Sequence, residues 1–245
     1  MDQFLNPELR PEDFRATFEA EGMVRIPGIL TEAAAAALYQ ALLRDIPWRL
    51  SFVDPDRDGK EAYRALPPEE FAALSADDKA ALSEKIRRQS VAGYQYLYNS
   101  WDLLKAMRAG KTGGTFVGKL LDFLGSENFF DFLHRVTGND DFNRIDGHAT
   151  RYMPGHFLKE HVDASPYEKR HVAYVLSMTP DWQVDWGGLL HFFDSKTQQV
   201  TRTLVPDFNS LTLFRVPVAH CVSTVSNFAT GPRLSVTGWL TEYDQ

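Results

Sequence analysis

From Asn143 onward the chain is written in short β-prone runs, and this change of texture constrains the fold more than any other feature. Eight such runs follow one another at 144–152, 156–163, 170–178, 187–193, 199–205, 210–216, 219–225 and 233–241, separated by Gly, Pro, Asp and Ser. Short strands at roughly even spacing predict a sandwich or jelly roll. Residues 1–142 read differently. Thr31 is a candidate N-cap for a helix running through Leu43, and Pro47 ends it. Further helices are expected over 67–88, 100–109 and 126–138, the last opened by Ser126 and Glu127 and stopped by Gly138. A short strand is expected over 22–29, a polar loop over 54–68 and an aromatic, β-prone segment over 91–98. The expectation is an α+β, mainly β chain forming one domain over 1–245. In it a helix-rich supporting half (1–142), with a candidate lid, packs on a β core (143–245).

Composition narrows the function. The chain has 17 Phe, 9 Tyr and 5 Trp among its 245 residues, enough to bury a sizeable core. Its net charge of −7 leaves no basic excess to neutralise a phosphate backbone, so no nucleic-acid partner is expected. The single cysteine, Cys221, cannot form an intramolecular disulfide. That fits a reducing compartment and a cytoplasmic protein. The N-terminus lacks the pattern of a secretory signal. The most apolar run, Ala33 to Leu43, is too short to span a bilayer, so no membrane association is expected. The chain carries no signature of a particular oligomeric state.

Six of the seven histidines lie in the β half: His148, His156, His161, His171, His191 and His220, with His134 the exception. The informative one is His161, followed by Val162 and Asp163. Side chains at i and i+2 of a strand point to one face, so an imidazole and a carboxylate project together. A histidine from a later strand would complete a 2-His-1-carboxylate triad, the arrangement of non-haem Fe(II) oxygenases. His220, opening the β-prone run HCVSTV, is the best third ligand. The His-x-Asp pattern alone is short enough to arise by chance, and a lone His171 or His191 reads as a structural or surface histidine.

On the last strand Arg233, Ser235, Thr237 and Trp239 share parity and hence one face. An arginine pointing into a small barrel needs an anion. That anion is either an internal Asp or Glu, or a ligand carboxylate gripped by the planar fork of the guanidinium. Ser235 could add a hydrogen bond. A ligand spanning the metal and the guanidinium needs a chelating head and a carboxylate tail, and 2-oxoglutarate is such a molecule. Gly187-Gly188 opens a strand and reads either as a tight backbone approach at a barrel corner or as a simple turn.

Taken together, these residues resemble the Fe(II)/2-oxoglutarate-dependent dioxygenases, in their prolyl-4-hydroxylase-like branch. The pieces occur in family order: Tyr152, His161-x-Asp163, the apolar strand Arg170 to Met178, Asp181-Trp182, Gly187-Gly188, His220, Arg233 and Trp239. The lead-in from Gly22 to Thr31, followed by an Ala-rich helix, is also similar. The resemblance implies a double-stranded β-helix in which His161, Asp163 and His220 bind Fe(II). Arg233 would pair the distal carboxylate of 2-oxoglutarate, Tyr152 would hydrogen-bond the same end, and Trp239 would pack near the iron or the cosubstrate. With O2 as second cosubstrate, the implied reaction hydroxylates a C–H bond and releases succinate and CO2. The implied substrate is a prolyl or other residue of a protein or peptide, with a free amino acid or metabolite as the alternative. A non-catalytic metal-binding β-barrel and a cupin-type metalloenzyme are further readings.

The chain departs from the family in places. The interval from His220 to Arg233 is slightly long. Ser177 stands where some relatives place a second cosubstrate tyrosine, with Tyr174 as a substitute from a different strand position. His191 stands where relatives often carry arginine, a position that faces either substrate or solvent. In the 51–115 segment Tyr94, Tyr96 and Trp101 are candidates for substrate contact, with core packing as the alternative. The Gly-rich stretch from Gly110 to Gly118 lacks the residue order of a phosphate-binding loop.

Overall fold

The structure, a computed structural model, describes residues 4–242. In the β half the strands are β5 (Arg144–Ile145), β6 (His148–Tyr152), β7 (Phe157–His161), β8 (Lys169–Met178), β9 (Leu190–Phe193), β10 (Val200–Leu204), β11 (Phe208–Arg215), β12 (His220–Val222) and β13 (Arg233–Glu242). The N-terminal half adds β1 (Met23–Pro27), β2 (Arg49–Val53), β3 (Tyr63–Leu66) and β4 (Tyr96–Asp102). Hydrogen-bonded neighbours follow the order β1-β11-β8-β13-β6-β4-β7-β12-β9-β10, with every recorded pairing antiparallel. This is one curled antiparallel sheet, the double-stranded β-helix expected from the spacing of the runs.

The seam of the curl is β4. Its C-terminal part, Asn99 to Asp102, pairs with Arg151 to His148 of β6, while Tyr96 and Leu97 pair with Leu158 and Phe157 of β7. Thus a strand from the helix-rich half joins the two layers of the β half. Strand β1 covers the far edge by pairing with β11. The sequence leaves β2 and β3 unpredicted because their pairing is with each other and with β4, far along the chain. Residues 100–102, expected as helix, continue β4 for the same reason. Tertiary pairing overrides the local preference of a short segment.

The expected helices form where their caps lie. Helix α2 (Glu32–Arg44) starts at Thr31, whose side chain accepts from the Ala34 N–H. Helix α7 (Glu127–Thr137) starts at Ser126 and ends at Gly138 in the left-handed conformation, with φ of 63°. The 67–88 segment is two helices, α3 (Pro68–Ala73) and α4 (Ala76–Ala92). Helices α1 (Glu12–Glu21), α5 (Leu103–Arg108) and α6 (Phe116–Leu124) complete the set. The Gly-rich stretch ends inside α6, which Thr115 caps. None of these helices is long and apolar enough to cross a membrane.

Helices α1, α2, α5, α6 and α7 pack on one face of the sheet, while Ile86 of α4 packs with Phe52 and Leu66 of β2 and β3. Leu38, Leu120, Leu133 and Phe142 meet Leu234, Val236 and Leu240 of β13 and Leu176 and Met178 of β8 in one continuous apolar core. A smaller cluster lies inside the curl, built from Ala173, Leu190, Phe192, Phe214 and Val222. Because Leu38 is fully buried where helix meets sheet, Leu38→Ala should destabilise the protein by about 2–5 kcal/mol. We expect loss in a single transition across both halves, read by calorimetry and circular dichroism; two separate transitions would contradict a shared core.

His156, just before β7, is buried with an unpartnered Nδ1, and burial pushes its pKa down to about 4. The unfolded chain protonates this imidazole near pH 6.5, where the folded protein does not. Its contribution to stability is therefore whole above pH 6.5 and shrinks as pH falls toward 4. The slope for one such group is about 1.4 kcal/mol per pH unit. His156→Gln should flatten the fall of Tm over this range; an unchanged profile would contradict it.

Candidate active site

The curl encloses a cavity of about 670 Å3. His161 ends β7 and His220 opens β12, and the register pairs the two residues directly across the strands. Their rings lie 4.1 Å apart between centroids. Asp163 follows β7 by two residues and swings back to the same point. Its Oδ1 lies 3.5 Å from His161 Nε2 and its Oδ2 3.5 Å from His220 Nε2. One ligating atom from each of the three falls within 4.8 Å of the others, close enough to share one metal ion.

The surroundings prepare these side chains as ligands. His161 Nδ1 lies 3.0 Å from the Lys159 carbonyl and His220 Nδ1 lies 2.9 Å from the Val218 carbonyl. Donation from Nδ1–H to each carbonyl leaves both Nε2 lone pairs free and directed at Asp163. Burial pushes the His220 pKa down to about 4, and the neighbouring His161 adds to this, so the imidazole is neutral at physiological pH. Burial alone would raise the pKa of Asp163, but the adjacent His161 and His220 hold it below the ordinary carboxylate range. Two imidazoles presenting Nε2 and an ionised carboxylate are the donor set that a divalent first-row metal requires.

The other wall of the cavity carries Arg233. It is buried at 6 % exposure, and among the described residues no carboxylate pairs with it. An internal salt bridge, one of the two possibilities left by the sequence, is absent. Instead its guanidinium lies over the Tyr152 ring, 4.7 Å from the centroid. Burial and this neighbour have opposite effects on the Tyr152 phenol; burial prevails and pushes its pKa up to about 12. Trp239 also lines the cavity, and among the described residues its buried indole N–H is within hydrogen-bond distance of no acceptor, although its side chain helps to hold the Asp163 pKa down. The Ser235 hydroxyl lies 2.7 Å from Thr150 Oγ1 and is held in that pair.

Arg170, Tyr98, Tyr63 and His148 line the cavity without having been legible as site residues. Arg170 stacks on Trp239 at 3.6 Å from its ring centroid and donates to the Asp163 carbonyl at 3.2 Å. It thereby fixes both the indole and the backbone of the carboxylate. Tyr96 and Tyr98 of β4, with Tyr94 just before it, line one wall, and Tyr63 and His148 also line the cavity. Trp101 has the opposite parity and packs into the helical core. Tyr174 borders the cavity but belongs to the core on the helix side, and its hydroxyl donates to the Asp146 carbonyl at 2.6 Å. Ser177 donates to the Asp207 carbonyl. His191 points away from the cavity and its Nδ1 lies 2.8 Å from Thr203 Oγ1. Gly187 is a close approach rather than a simple turn, since a Cβ there would stand 2.1 Å from the Thr224 carbonyl oxygen.

A curled sheet of this topology, with a 2-His-1-carboxylate cluster at one end of its cavity and a buried arginine on the other wall, defines a class of non-haem metal oxygenase fold. Residues 147–241 match the model of the 2OG-Fe(II) oxygenase superfamily. That family uses Fe(II), 2-oxoglutarate and O2. The chain is 35% identical over 119 residues to prolyl 3-hydroxylase OGFOD1 of Mus musculus, covering 46% of this chain and 21% of that protein. It thus spans about a fifth of the length of that curated relative. Among solved structures it is similar to a prolyl hydroxylase from Trichoplax adhaerens in complex with a hypoxia inducible factor oxygen degradation domain peptide fragment. That match has a TM-score of 0.61 at 14% identity, covering 95% of this chain and 89% of the other. An oxidoreductase of the 2OG-Fe(II) oxygenase family from Burkholderia pseudomallei matches with a TM-score of 0.59 at 13% identity, covering 98% and 94%. At these identities the structural likeness is one of fold.

The geometry predicts one divalent metal per chain. Asp163→Ala should weaken Mn(II) binding, read by loss of the free-ion paramagnetic resonance signal, at least ~100-fold while the circular dichroism spectrum is kept. Wild-type affinity in that variant would contradict the assignment of the triad.

Proposed function

We propose that the protein is an Fe(II)- and 2-oxoglutarate-dependent dioxygenase that hydroxylates a residue of a protein or peptide, with proline the leading candidate. The observation that carries this reading is Arg233, a buried guanidinium with no carboxylate partner among the described residues, lining the same cavity as the His161, Asp163 and His220 cluster. A buried cation in this position calls for an anionic ligand. A 2-oxoacid with a second carboxylate meets both ends of the cavity at once.

In this reading His161, Asp163 and His220 hold Fe(II), and Arg233 with Tyr152 binds the distal carboxylate of the cosubstrate. Bound iron, with 2-oxoglutarate and O2, supplies the oxidising chemistry that hydroxylates a C–H bond and yields succinate and CO2. The chain itself supplies positioning. Arg170 fixes Trp239 and the Asp163 backbone, and Tyr96, Tyr98 and Tyr152 give the cavity an aromatic wall. The rim is apolar and open: Tyr63 is 61% exposed and Val162 is 49% exposed. Such a rim accepts a side chain still attached to a backbone. The names of the curated relative and of the Trichoplax structure agree with a prolyl substrate. The lone Cys221 fits a cytoplasmic setting.

Protein supplied with Fe(II), 2-oxoglutarate and O2 should form succinate in step with the addition of one oxygen atom to a prolyl peptide, read by mass spectrometry. Succinate formation coupled to a free amino acid and to none of the peptides would favour the small-molecule alternative. Arg233→Ala should raise the 2-oxoglutarate requirement roughly 30-fold or more, corresponding to about 2 kcal/mol. An unchanged requirement would mean that another cation holds the tail.

A further inference from the structure

Strand β4 lies outside the segment that matches the oxygenase family, yet it lines the cavity that holds Arg233. Tyr98 stacks on Tyr152 with ring centroids 5.0 Å apart and planes 25° apart. Tyr152 in turn carries the Arg233 guanidinium on its face. The three groups therefore form one stack of Tyr98, Tyr152 and Arg233. On its other side Tyr98 meets Tyr96 at 5.0 Å. The ring is thus held from both sides.

Several hydroxyls near this end of the cavity are already bonded within the protein. Thr150 and Ser235 bond each other, Ser177 is bonded to the Asp207 carbonyl, and Tyr174 donates to the Asp146 carbonyl from the opposite face of its strand. The Tyr98 hydroxyl has no hydrogen-bond partner among the described residues, although its side chain lines the cavity. Burial pushes its pKa well above the ordinary phenol value, so it remains a donor at every physiological pH. A carboxylate offers about four acceptor sites, and the fork of one arginine fills about two of them. An anion seated on Arg233 thus has acceptor capacity left for a neighbouring neutral donor.

We propose that Tyr98 is a cosubstrate-binding residue of this chain, its phenolic hydroxyl donating to the same carboxylate that Arg233 anchors. The inference rests on the proposed 2-oxoglutarate site and adds to it a residue from the N-terminal half. A donor placed by β4 makes cosubstrate binding depend on the seam strand as well as on the β-helix itself.

The test is anaerobic calorimetry of Mn(II)-loaded protein with 2-oxoglutarate, comparing wild type with Tyr98→Phe. Phenylalanine keeps the ring stack and removes only the hydroxyl, so the variant should fold and bind Mn(II) as wild type does. We expect the Kd for 2-oxoglutarate to rise roughly tenfold. We expect no change for 2-oxovalerate, which has the chelating head and lacks the second carboxylate. An unchanged Kd for 2-oxoglutarate would overturn the role of Tyr98, and an equal loss for both compounds would overturn its placement at the Arg233 end. Failure of the wild type to bind 2-oxoglutarate would instead refute the proposed function.

Discussion

The register of β13 is the constraint on which the rest of the molecule depends. Successive side chains of this strand go to opposite faces, and both faces are in use. Leu234, Val236 and Leu240 close the helical core, while Arg233, Thr237 and Trp239 line the cavity. A slip of one residue would put the guanidinium among leucines and expose the leucines to the cavity, so the apolar core enforces the position of the functional side chains. Three pairings hold that register, with β8 on one side and with β6 and β5 on the other.

The electrostatics of the cavity follow from this placement. At one end an ionised Asp163 sits between two histidines, with Arg170 held to its backbone. On the other wall Arg233, without a carboxylate partner among the described residues, lies on a tyrosine ring. Burial prevents water from screening either group, and each is left with capacity for a ligand. The triad calls for a cation and Arg233 for an anion, and a chelating dicarboxylate with a metal satisfies both.

The sequence made the metal triad legible because its signal is local. His161 and Asp163 sit two apart at a strand end, and His220 opens the strand that pairs with it. Arg233 was legible through parity along β13. The same parity argument places Tyr174, since Ala173 and Val175 of β8 pack inside the curl and Tyr174 between them must face the helices. It likewise separates Trp101 from Tyr94, Tyr96 and Tyr98. Arg170 defeats the argument. The pairing of β8 with β13 is irregular beside Leu240 and Thr241, where Val172 and Arg170 are the successive partners. That bulge turns Arg170 into the cavity against strict alternation. The contribution of β4 was hidden for another reason, because its partners β6 and β7 lie some fifty residues on and no local pattern announces them.

The central claim is that one cavity holds a metal at His161, Asp163 and His220 and a 2-oxoacid spanning from that metal to Arg233. The most direct measurement is an anaerobic titration of metal-free protein with Fe(II) and 2-oxoglutarate, followed through the weak visible charge-transfer band of the chelate and compared with His161→Ala. The account predicts a band in the wild type and none in the variant. Absence of the band from wild-type protein with iron confirmed bound, or an equal band in His161→Ala, would contradict it.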